Sequence, residues 1–321
     1  MPDRNRGITR QYFAWAGITT HDDLMSRDVA QTSLAESLAD WQPGSAEMTR
    51  RVDPWFAAAF ADLLDAPPPS LDLGAALPPL WHWFVLLDHP AGSATGADGH
   101  PAEGPFLPPI PGRRRMFAGG RLRQEAPIPI GVELSSRSRV SEVTVKTGRT
   151  GEMAFVTVRH ELLVDGATVG VEEQDFVYRS EPAGTARRTR PPETGSADPE
   201  GEWRVELATD PVVLFRFSAL TYNGHRIHYD RPYATQVEGY PDLVVHGPLL
   251  ALLALELPRR HAPDRPVRAF EYRLVRPAFV PSRIVSVGRV QGADVDVVVG
   301  AQGASPSLTA RVGLGKSRGT R

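Results

Sequence analysis

The sequence predicts an α+β protein made of two similar halves, each an antiparallel sheet with one apolar helix. Segments of alternating apolar and polar residues occur in two groups, and each group follows an apolar helical segment. Alternation with a period of two is typical of half-buried antiparallel strands. A stretch rich in Pro, Gly, Thr and Arg separates the groups. We therefore expect a first domain at residues 1–180, a linker at 181–201 and a second domain at 202–321.

The strands are predicted from seven alternating segments. In the first half the turns between them contain Gly148, Gly151 and the pair Asp165-Gly166, which favours a tight hairpin. The segments are residues 134–145, 153–164 and 168–178 in the first half, and 268–275, 283–290, 294–299 and 307–312 in the second.

The helices are predicted at residues 80–87 and 249–257, each ahead of the strands of its half. Some residues also recur at a spacing of 150, such as Arg123 with Arg273 and Pro127 with Pro277. Together with the matching order of strands, this spacing indicates an internal duplication.

Composition argues against several classes of protein. The net charge of −2 gives no general attraction to nucleic acid or anionic membrane. No apolar run reaches the roughly 20 residues that span a bilayer, and the N-terminal residues lack a signal-peptide core. The absence of cysteine excludes disulfides and thiolate chemistry and fits a reducing cytosol. Motifs for nucleotides, nicotinamide cofactors and zinc peptidases are absent from the sequence.

The most informative segment is residues 217–230, followed by a histidine and a helix start. Asn223, His225, His228 and Asp230 fall within eight residues. Such side chains transfer protons or orient a substrate. The sequence His246-Gly247-Pro248 then leads into the apolar helix, and a helix N-terminus offers unpaired N–H groups to a developing negative charge.

These two segments resemble the MaoC-like (R)-specific enoyl-CoA hydratases and the type 2 hydroxyacyl-thioester dehydratases. The run from Thr221 to Asp230 follows the family's loop without gaps, and His246 and Gly247 match its second motif. The variant looks most like the mesaconyl-CoA hydratase branch. The resemblance covers nearly the whole chain and implies a double hot-dog fold, with each sheet wrapped around a central helix. It implies an active site in the second half, with a non-catalytic first half that lacks the histidine motif and shapes the acyl site.

One position departs from the family. The family's catalytic pair is an Asp and a His, and the His falls on His228, but the Asp position holds Asn223. An amide cannot act as a carboxylate base. Either His228 has another partner, or Asn223 only orients water or the carbonyl, or the site is not a hydratase.

The resemblance implies three catalytic residues. His228 would carry the proton, because an imidazole titrates near neutrality. Asn223 would position water or hydroxyl, and the Gly247 N–H would polarise the thioester carbonyl. Each also has a structural interpretation: a buried histidine, an Asn-Gly turn with positive φ, and a helix start packed tightly on the sheet.

Other residues of the motif have supporting roles. Asp230 would orient His228 from the same face of a strand, or close that strand. His246 would bond the loop of Asn223 or be structural, and Tyr222 and His225 are further candidates. Arg226 would meet a substrate carboxylate or an acidic neighbour; Pro248 starts the helix beside the substrate.

The first half has an extra segment rich in Gly and Pro, residues 88–115. Long inserts of this type are usually functional or disordered. We expect it either to lie over the acyl tunnel and limit substrate length, or to be an ordered surface excursion.

The expected reaction is reversible addition of water across the α,β bond of an acyl thioester. The first substrate choice is a branched dicarboxylic thioester such as mesaconyl-CoA. No metal or redox cofactor is expected, since coenzyme A or phosphopantetheine is part of the substrate. The expected partner is therefore an acyl-CoA or an acyl-carrier protein, with a homodimer possible. Two alternatives stay open: a hot-dog thioesterase, with Glu238 or Asp230 as base, and a non-catalytic module that binds acyl thioesters.

Overall fold

The structure is a computed structural model that describes residues 33–148, 151–180, 195–196 and 199–317. Its first half has five strands in a large sheet and a separate two-stranded pair, β2 with β4. These strands are β1 (Ser45–Arg51), β2 (Ala76–Leu77), β3 (Arg113–Gln124), β4 (Ile128–Pro129), β5 (Glu133–Gly148), β6 (Gly151–Val164) and β7 (Ala167–Ser180).

The second half adds five strands to the same sheet. They are β8 (Trp203–Thr209), β9 (Val267–Leu274), β10 (Ser282–Gln291), β11 (Asp294–Ala301) and β12 (Leu308–Leu314). All seven predicted strands are confirmed. The sequence did not predict β1, β3 and β8. Most of β1 is exposed, and β3 contains Gly119 and Gly120, so neither has clear alternation.

The ten strands of the large sheet are arranged symmetrically. Their order is β1-β5-β6-β7-β3-β9-β12-β11-β10-β8, so each half has the same internal order and the halves meet at β3 and β9. At that junction Arg121 pairs with Glu271, which is 150 residues further along the chain. A pseudo-two-fold axis therefore passes through this pair. The register supports the predicted duplication.

Four α-helices complete the described part of the chain. They are α1 (Leu34–Leu38), α2 (Pro54–Leu63), α3 (Pro211–Leu220) and α4 (Gly247–His261). Helices α2 and α3 begin in the same way, with an aspartate N-cap followed by proline. Asp53 accepts the N–H of Trp55 and Asp210 accepts that of Val213, each over 2.8 Å. An aspartate cap and an N1 proline both favour a helix start.

Helix α4 is the central helix of the second half. Every residue from 249 to 258 is buried, and the helix packs against all five strands from β8 to β12. A helix that is apolar on all sides must be enclosed. Its one buried acid, Glu256, is paired with Arg259 at 2.6 Å and Arg260 at 3.0 Å. This confirms the helix predicted at residues 249–257 and the α+β class.

The helix predicted at residues 80–87 is wrong in extent, because only Trp81–Phe84 forms a single 3₁₀ turn. Leu80 adopts a φ of 66°, which breaks helical geometry at the start. The turn is held from the side by buried Glu172, which lies 2.6 Å from Nε2 of His82 and accepts the Trp83 indole N–H over 2.8 Å.

The domain boundaries remain a prediction. Strand β7 ends at Ser180 and β8 begins at Trp203, while most of the predicted linker, 181–201, and the first 32 residues lie outside the described part of the chain. None of the described helices combines the length and hydrophobicity needed to cross a bilayer.

Candidate active site

The histidine segment begins where α3 ends. Tyr222 adopts a φ of 49°, and the N–H of Asn223 donates to the Ser218 carbonyl over 2.8 Å. The Oδ1 atom of Asn223 then accepts the N–H of His225 at 2.9 Å. Asn223 therefore shapes a turn, as its structural interpretation predicted. The prediction of positive φ at the Asn-Gly pair was wrong, since Tyr222 is the left-handed residue.

His228 is buried and its ring is fixed in one orientation. Its Nδ1 lies 2.7 Å from the carbonyl oxygen of Val244. A carbonyl only accepts, so Nδ1 carries the proton and Nε2 keeps its lone pair. Burial lowers the pKa of His228 to about 4; the bond to Val244 opposes the shift and His100 adds to it. Near pH 7 the ring is therefore neutral and able to accept a proton at Nε2.

His246 lies face to face with His228. The ring centroids are 3.6 Å apart and the planes differ by 17°. The Nε2 atom of His246 is 2.9 Å from the hydroxyl of Ser218 in α3, while its buried Nδ1 has no partner among the described residues. Burial holds the pKa of His246 well below its ordinary value. His246 therefore packs against the His228 ring and contacts Ser218 of α3 rather than the loop of Asn223.

Gly247 is the first residue of α4, beside this histidine pair. Its N–H has no hydrogen-bond partner among the described residues, and Pro248 has no N–H at all. A Cβ on Gly247 would lie 2.5 Å from Leu274 Cδ1. The glycine allows tight packing, as its structural interpretation predicted, while the role of its N–H toward a thioester carbonyl stays a prediction.

The insert brings a carboxylate and a further imidazole to the same place. Asp98 Oδ2 lies 3.0 Å from Nδ1 of His100, and Oδ1 accepts the backbone N–H of His100 at 3.0 Å. The ring of His100 packs against that of His225 with centroids 3.9 Å apart and planes tilted by 35°, and His225 meets His228 edge to face at 5.4 Å. Four imidazoles therefore form one continuous cluster from His246 to His100, which ends at Asp98.

These contacts shift the acidity of the cluster. Burial lowers the pKa of His225 to about 2, with His100 and His228 adding to the shift and Asp98 opposing it. Burial alone would raise the pKa of Asp98, but the hydrogen bonds and charge of His100 hold it well below its ordinary value. The cluster thus contains neutral buried histidines and one ionised carboxylate.

The insert is held against the histidine segment through its backbone. The N–H of Arg226 donates to the Asp98 carbonyl over 2.9 Å, and its guanidinium donates to the Ala97 carbonyl over 3.0 Å. A Cβ on Gly99, whose φ is 88°, would overlap the carbonyl of Gly224. Only glycine allows this approach, so the backbone fixes where Asp98 and His100 lie.

The predicted contact between Asp230 and His228 is wrong. The segment is a 3₁₀ turn, Arg226–His228, rather than a strand, so residues two apart do not share a face. Asp230 instead accepts from Arg226 at 2.7 Å and from the Tyr233 N–H at 3.1 Å. Arg226 thus has the acidic neighbour that was one of its two expected partners. Tyr222 is 60% exposed, outside the cluster.

One set of atoms in the described residues has the spacing of a metal site. Ligand atoms of Asp98, His100 and His225 all lie within 4.8 Å of one another. Both oxygens of Asp98 already accept N–H groups of His100. The arrangement fits a hydrogen-bonded acid–imidazole pair better than a ligand set.

Comparison with known proteins identifies the family. A model described as hydroxyacyl-thioester dehydratase type 2 matches residues 80–280. The mesaconyl-C(4)-CoA hydratase of Chloroflexus aurantiacus is 42% identical over 259 residues, which cover 81% of this chain and 91% of that protein. The chain belongs to the hydroxyacyl-thioester dehydratase type 2 family. This confirms the predicted family and, at that level, the class of hydratases and dehydratases of acyl thioesters.

Solved structures confirm the predicted double hot dog. A MaoC-like dehydratase from Phytophthora capsici has a TM-score of 0.62 at 13% identity, over 87% of this chain and 98% of that one. A Mycobacterium tuberculosis protein described as a double hotdog has a TM-score of 0.53 at 16% identity, over 86% and 97%. At these identities the likeness concerns the fold alone.

Sequence reasoning missed Asp98 and His100. The insert was predicted to act on the acyl chain or to be a surface excursion, and neither interpretation placed a carboxylate beside His225. The available signal was the run Asp98-Gly99-His100-Pro101, in which an acid and an imidazole flank a glycine. That signal is local and does not show that the run contacts residues more than 120 positions away.

Proposed function

We propose that the chain catalyses the reversible syn addition of water across the α,β double bond of an acyl thioester. The observation that carries this proposal is the fixed, buried His228 in the family motif. Its Nδ1–H is bound to Val244, so Nε2 is the only ring nitrogen left for chemistry. An open helix N-terminus lies next to it at Gly247.

His228 exchanges the proton of water. In hydration, Nε2 removes a proton from water as the oxygen bonds to the β-carbon; in dehydration, it returns that proton to the leaving hydroxyl. A histidine that is neutral at pH 7 is prepared for the first step. Its stacking against His246 keeps the ring from turning away.

Gly247 stabilises the charge that develops on the thioester oxygen. As water adds to the β-carbon, the π electrons move toward the carbonyl and form an enolate. The unpaired N–H at the start of α4 donates to that oxygen and is supported by the helix dipole. A single such donor contributes about 3 kcal/mol to the barrier in other enzymes.

Asn223 positions the water or the hydroxyl. Its Oδ1 is already used by the His225 N–H, so the amide nitrogen is the group that can donate. This role is compatible with the turn that Asn223 builds, and it does not require a carboxylate at this position.

The substrate we propose is a small dicarboxylic enoyl-CoA of the mesaconyl type. The support is the 42% identity to a protein named mesaconyl-C(4)-CoA hydratase, over 91% of its length. Arg226 does not support this choice, since its guanidinium is already bound by Asp230 and the Ala97 carbonyl. The proposed carrier is coenzyme A, with an acyl-carrier protein as the competing carrier.

Location and assembly belong to the same proposal. We place the enzyme in the cytoplasm, supported by the absence of cysteine. The two halves pair through one sheet within a single chain, which makes a monomer sufficient for activity. Light scattering of the purified protein distinguishes that monomer from a homodimer.

The test is turnover of mesaconyl-CoA and crotonyl-CoA by wild type, His228→Ala and the control His89→Ala. His89 is exposed and lies outside the histidine cluster. Hydration is followed by the enoyl absorbance and thiol release by a thiol reagent. We expect hydration by wild type and the control, at least a hundredfold loss in His228→Ala, and no thiol release.

Each other outcome identifies a different function. Thiol release without hydration would replace the hydratase by a thioesterase. Thermal stabilisation by acyl-CoA without any turnover would favour a binding module.

A further inference from the structure

The proposed reaction moves two protons, and the family motif here supplies only one clear carrier. His228 exchanges a proton with water, but the α-carbon must also gain or lose one. In the MaoC-like motif that this segment resembles, the position of the aspartate corresponds to Asn223, whose Oδ1 is used in the turn. An amide does not exchange protons near neutral pH. The second carrier must therefore come from elsewhere in the fold.

The insert supplies an acid–imidazole pair beside the motif. Asp98 accepts the Nδ1–H of His100 at 3.0 Å, which leaves Nε2 of His100 to meet a substrate. The His100 side chain is 23% exposed, so a ligand can reach it. Its ring packs against that of His225, which in turn contacts His228. The pair is thus held within the site by both the insert and the loop.

We infer that His100 is the second proton-transfer residue of this site and that Asp98 positions it, replacing the carboxylate absent at position 223. This inference rests on the proposed hydratase function. The active site then spans both halves of the chain, with His228 from the second half and His100 from the insert of the first.

The electrostatics agree with this division of roles. A carboxylate bound to Nδ1 stabilises an imidazolium and fixes its tautomer. Asp98 remains ionised because His100 holds its pKa well below the ordinary value, despite burial. His228 stays neutral as the base. Two titratable groups in opposite environments are the usual basis for separate acid and base roles. The charged and titratable groups around the pair are Arg115, His225, His228 and Tyr233.

The oxygen of water bonds to the β-carbon while Nε2 of His228 takes one proton from it. The π electrons pass to the α-carbon and the carbonyl, and Nε2 of His100 gives its proton to the α-carbon. His228 then releases its proton to solvent and His100 takes one up. The net change is addition of one water to the enoyl thioester.

The test compares Asp98→Asn and His100→Gln with Glu103→Gln, an exposed carboxylate-to-amide control on the same insert. Asp98→Asn keeps the backbone carbonyl that accepts from Arg226, so the insert remains bound to the loop. We expect His100→Gln to lower kcat about a hundredfold or more. Asp98→Asn should lower kcat about tenfold with KM nearly unchanged, because Asp98 orients the proton carrier His100.

The pH profile separates positioning from a merely structural role. Asp98→Asn removes a negative charge beside the proposed proton carrier, so the dependence of kcat/KM on pH should differ from that of wild type. Glu103→Gln should keep the wild-type profile. An unchanged profile, or kcat of both variants within twofold of the control, would overturn the inference while leaving the hydratase intact. Absence of hydration by wild type would contradict both the hydratase function and the role of His100 and Asp98.

A second experiment restores a carboxylate at residue 223, where the family motif has an aspartate. An aspartate at residue 223 can still accept the His225 N–H, so the turn is kept. We expect Asn223→Asp to recover part of the activity lost in Asp98→Asn, and not that lost in His228→Ala. No recovery at normal thermal stability would count against Asp98 as the replacement.

Discussion

At the scale of single residues, burial determines the chemistry of the histidines. His228 and His246 stack closely, and neither ring has a carboxylate bonded to it. Without a counter-charge, desolvation disfavours the imidazolium. The same burial that stabilises a neutral base must make the folded protein sensitive to acid, because an unfolded histidine binds a proton more readily.

We therefore expect the free energy of unfolding to fall as pH is lowered from 8 to 5. The pKa of His228 is about 4 in the folded protein, so below about 6.5 the unfolded chain binds a proton that the folded chain does not. The contribution of His228 to the free energy of unfolding is fully present above that pH, and about 2 kcal/mol of it is lost by pH 5. Urea unfolding at each pH measures the free energy of unfolding.

His228→Gln and the exposed control His89→Gln give the comparison. The free energy of unfolding of His228→Gln should fall less with decreasing pH than that of wild type. That of His89→Gln should fall as much as that of wild type. Equal falls in all three proteins would show that other groups cause the acid sensitivity.

A second prediction at this scale concerns metal ions. A cation between Asp98, His100 and His225 would compete with the hydrogen bonds that Asp98 accepts from His100. We therefore expect dialysis against a chelator to leave the hydration rate unchanged. A rate that is lost on dialysis and restored by a divalent cation would contradict this and assign the cluster to a metal.

At the scale of elements, the sequence predicts strands and helices that have a periodic local pattern. It does not predict structure that depends on contacts between residues far apart in the chain. Strand β5 and helix α4 were predicted because alternation and an apolar run are visible in the chain. The helix at residues 80–87 was over-extended, because its apolar side chains do not reveal that Glu172 holds His82 and Trp83. The catalytic motif was found by resemblance, but Asp98 and His100 were not, because their position depends on how the insert folds back.

The docking of the insert gives a prediction for this element. In Gly99→Ala the new methyl group would overlap the Gly224 carbonyl, a backbone atom that cannot turn aside. The insert should move away from the histidine loop, with about tenfold or greater loss of kcat. Gly92→Ala, also in the insert, meets nothing within 4 Å and should behave as wild type. Steady-state hydration and thermal melting of both variants check this.

Equal activity of the two alanine variants would show that the position of the insert does not matter for chemistry. Lower activity of Gly99→Ala at a melting temperature that still shows a folded protein is the expected result.

At the scale of the whole molecule, two halves with the same strand order share one sheet but contain different functional segments. Five residue pairs join β3 to β9 around Arg121 and Glu271. The second half keeps the long central helix and the histidine motif. The first half has a single 3₁₀ turn in place of that helix and carries the insert. A half that lost its own motif thus still contributes Asp98 and His100 to the other half's site.

This shared construction predicts that neither half works alone. The fragment of residues 191–321 carries His228 and Gly247, yet it lacks the insert and leaves the edge of β9 unpaired. We expect no hydration by this fragment, and recovery when it is coexpressed with residues 1–190. The control is the intact chain cleaved after folding at an added protease site following Arg190. It should stay active, because the β3–β9 pairing holds the halves together. Activity of the second fragment alone would show that the motif suffices and that the first half only stabilises the fold.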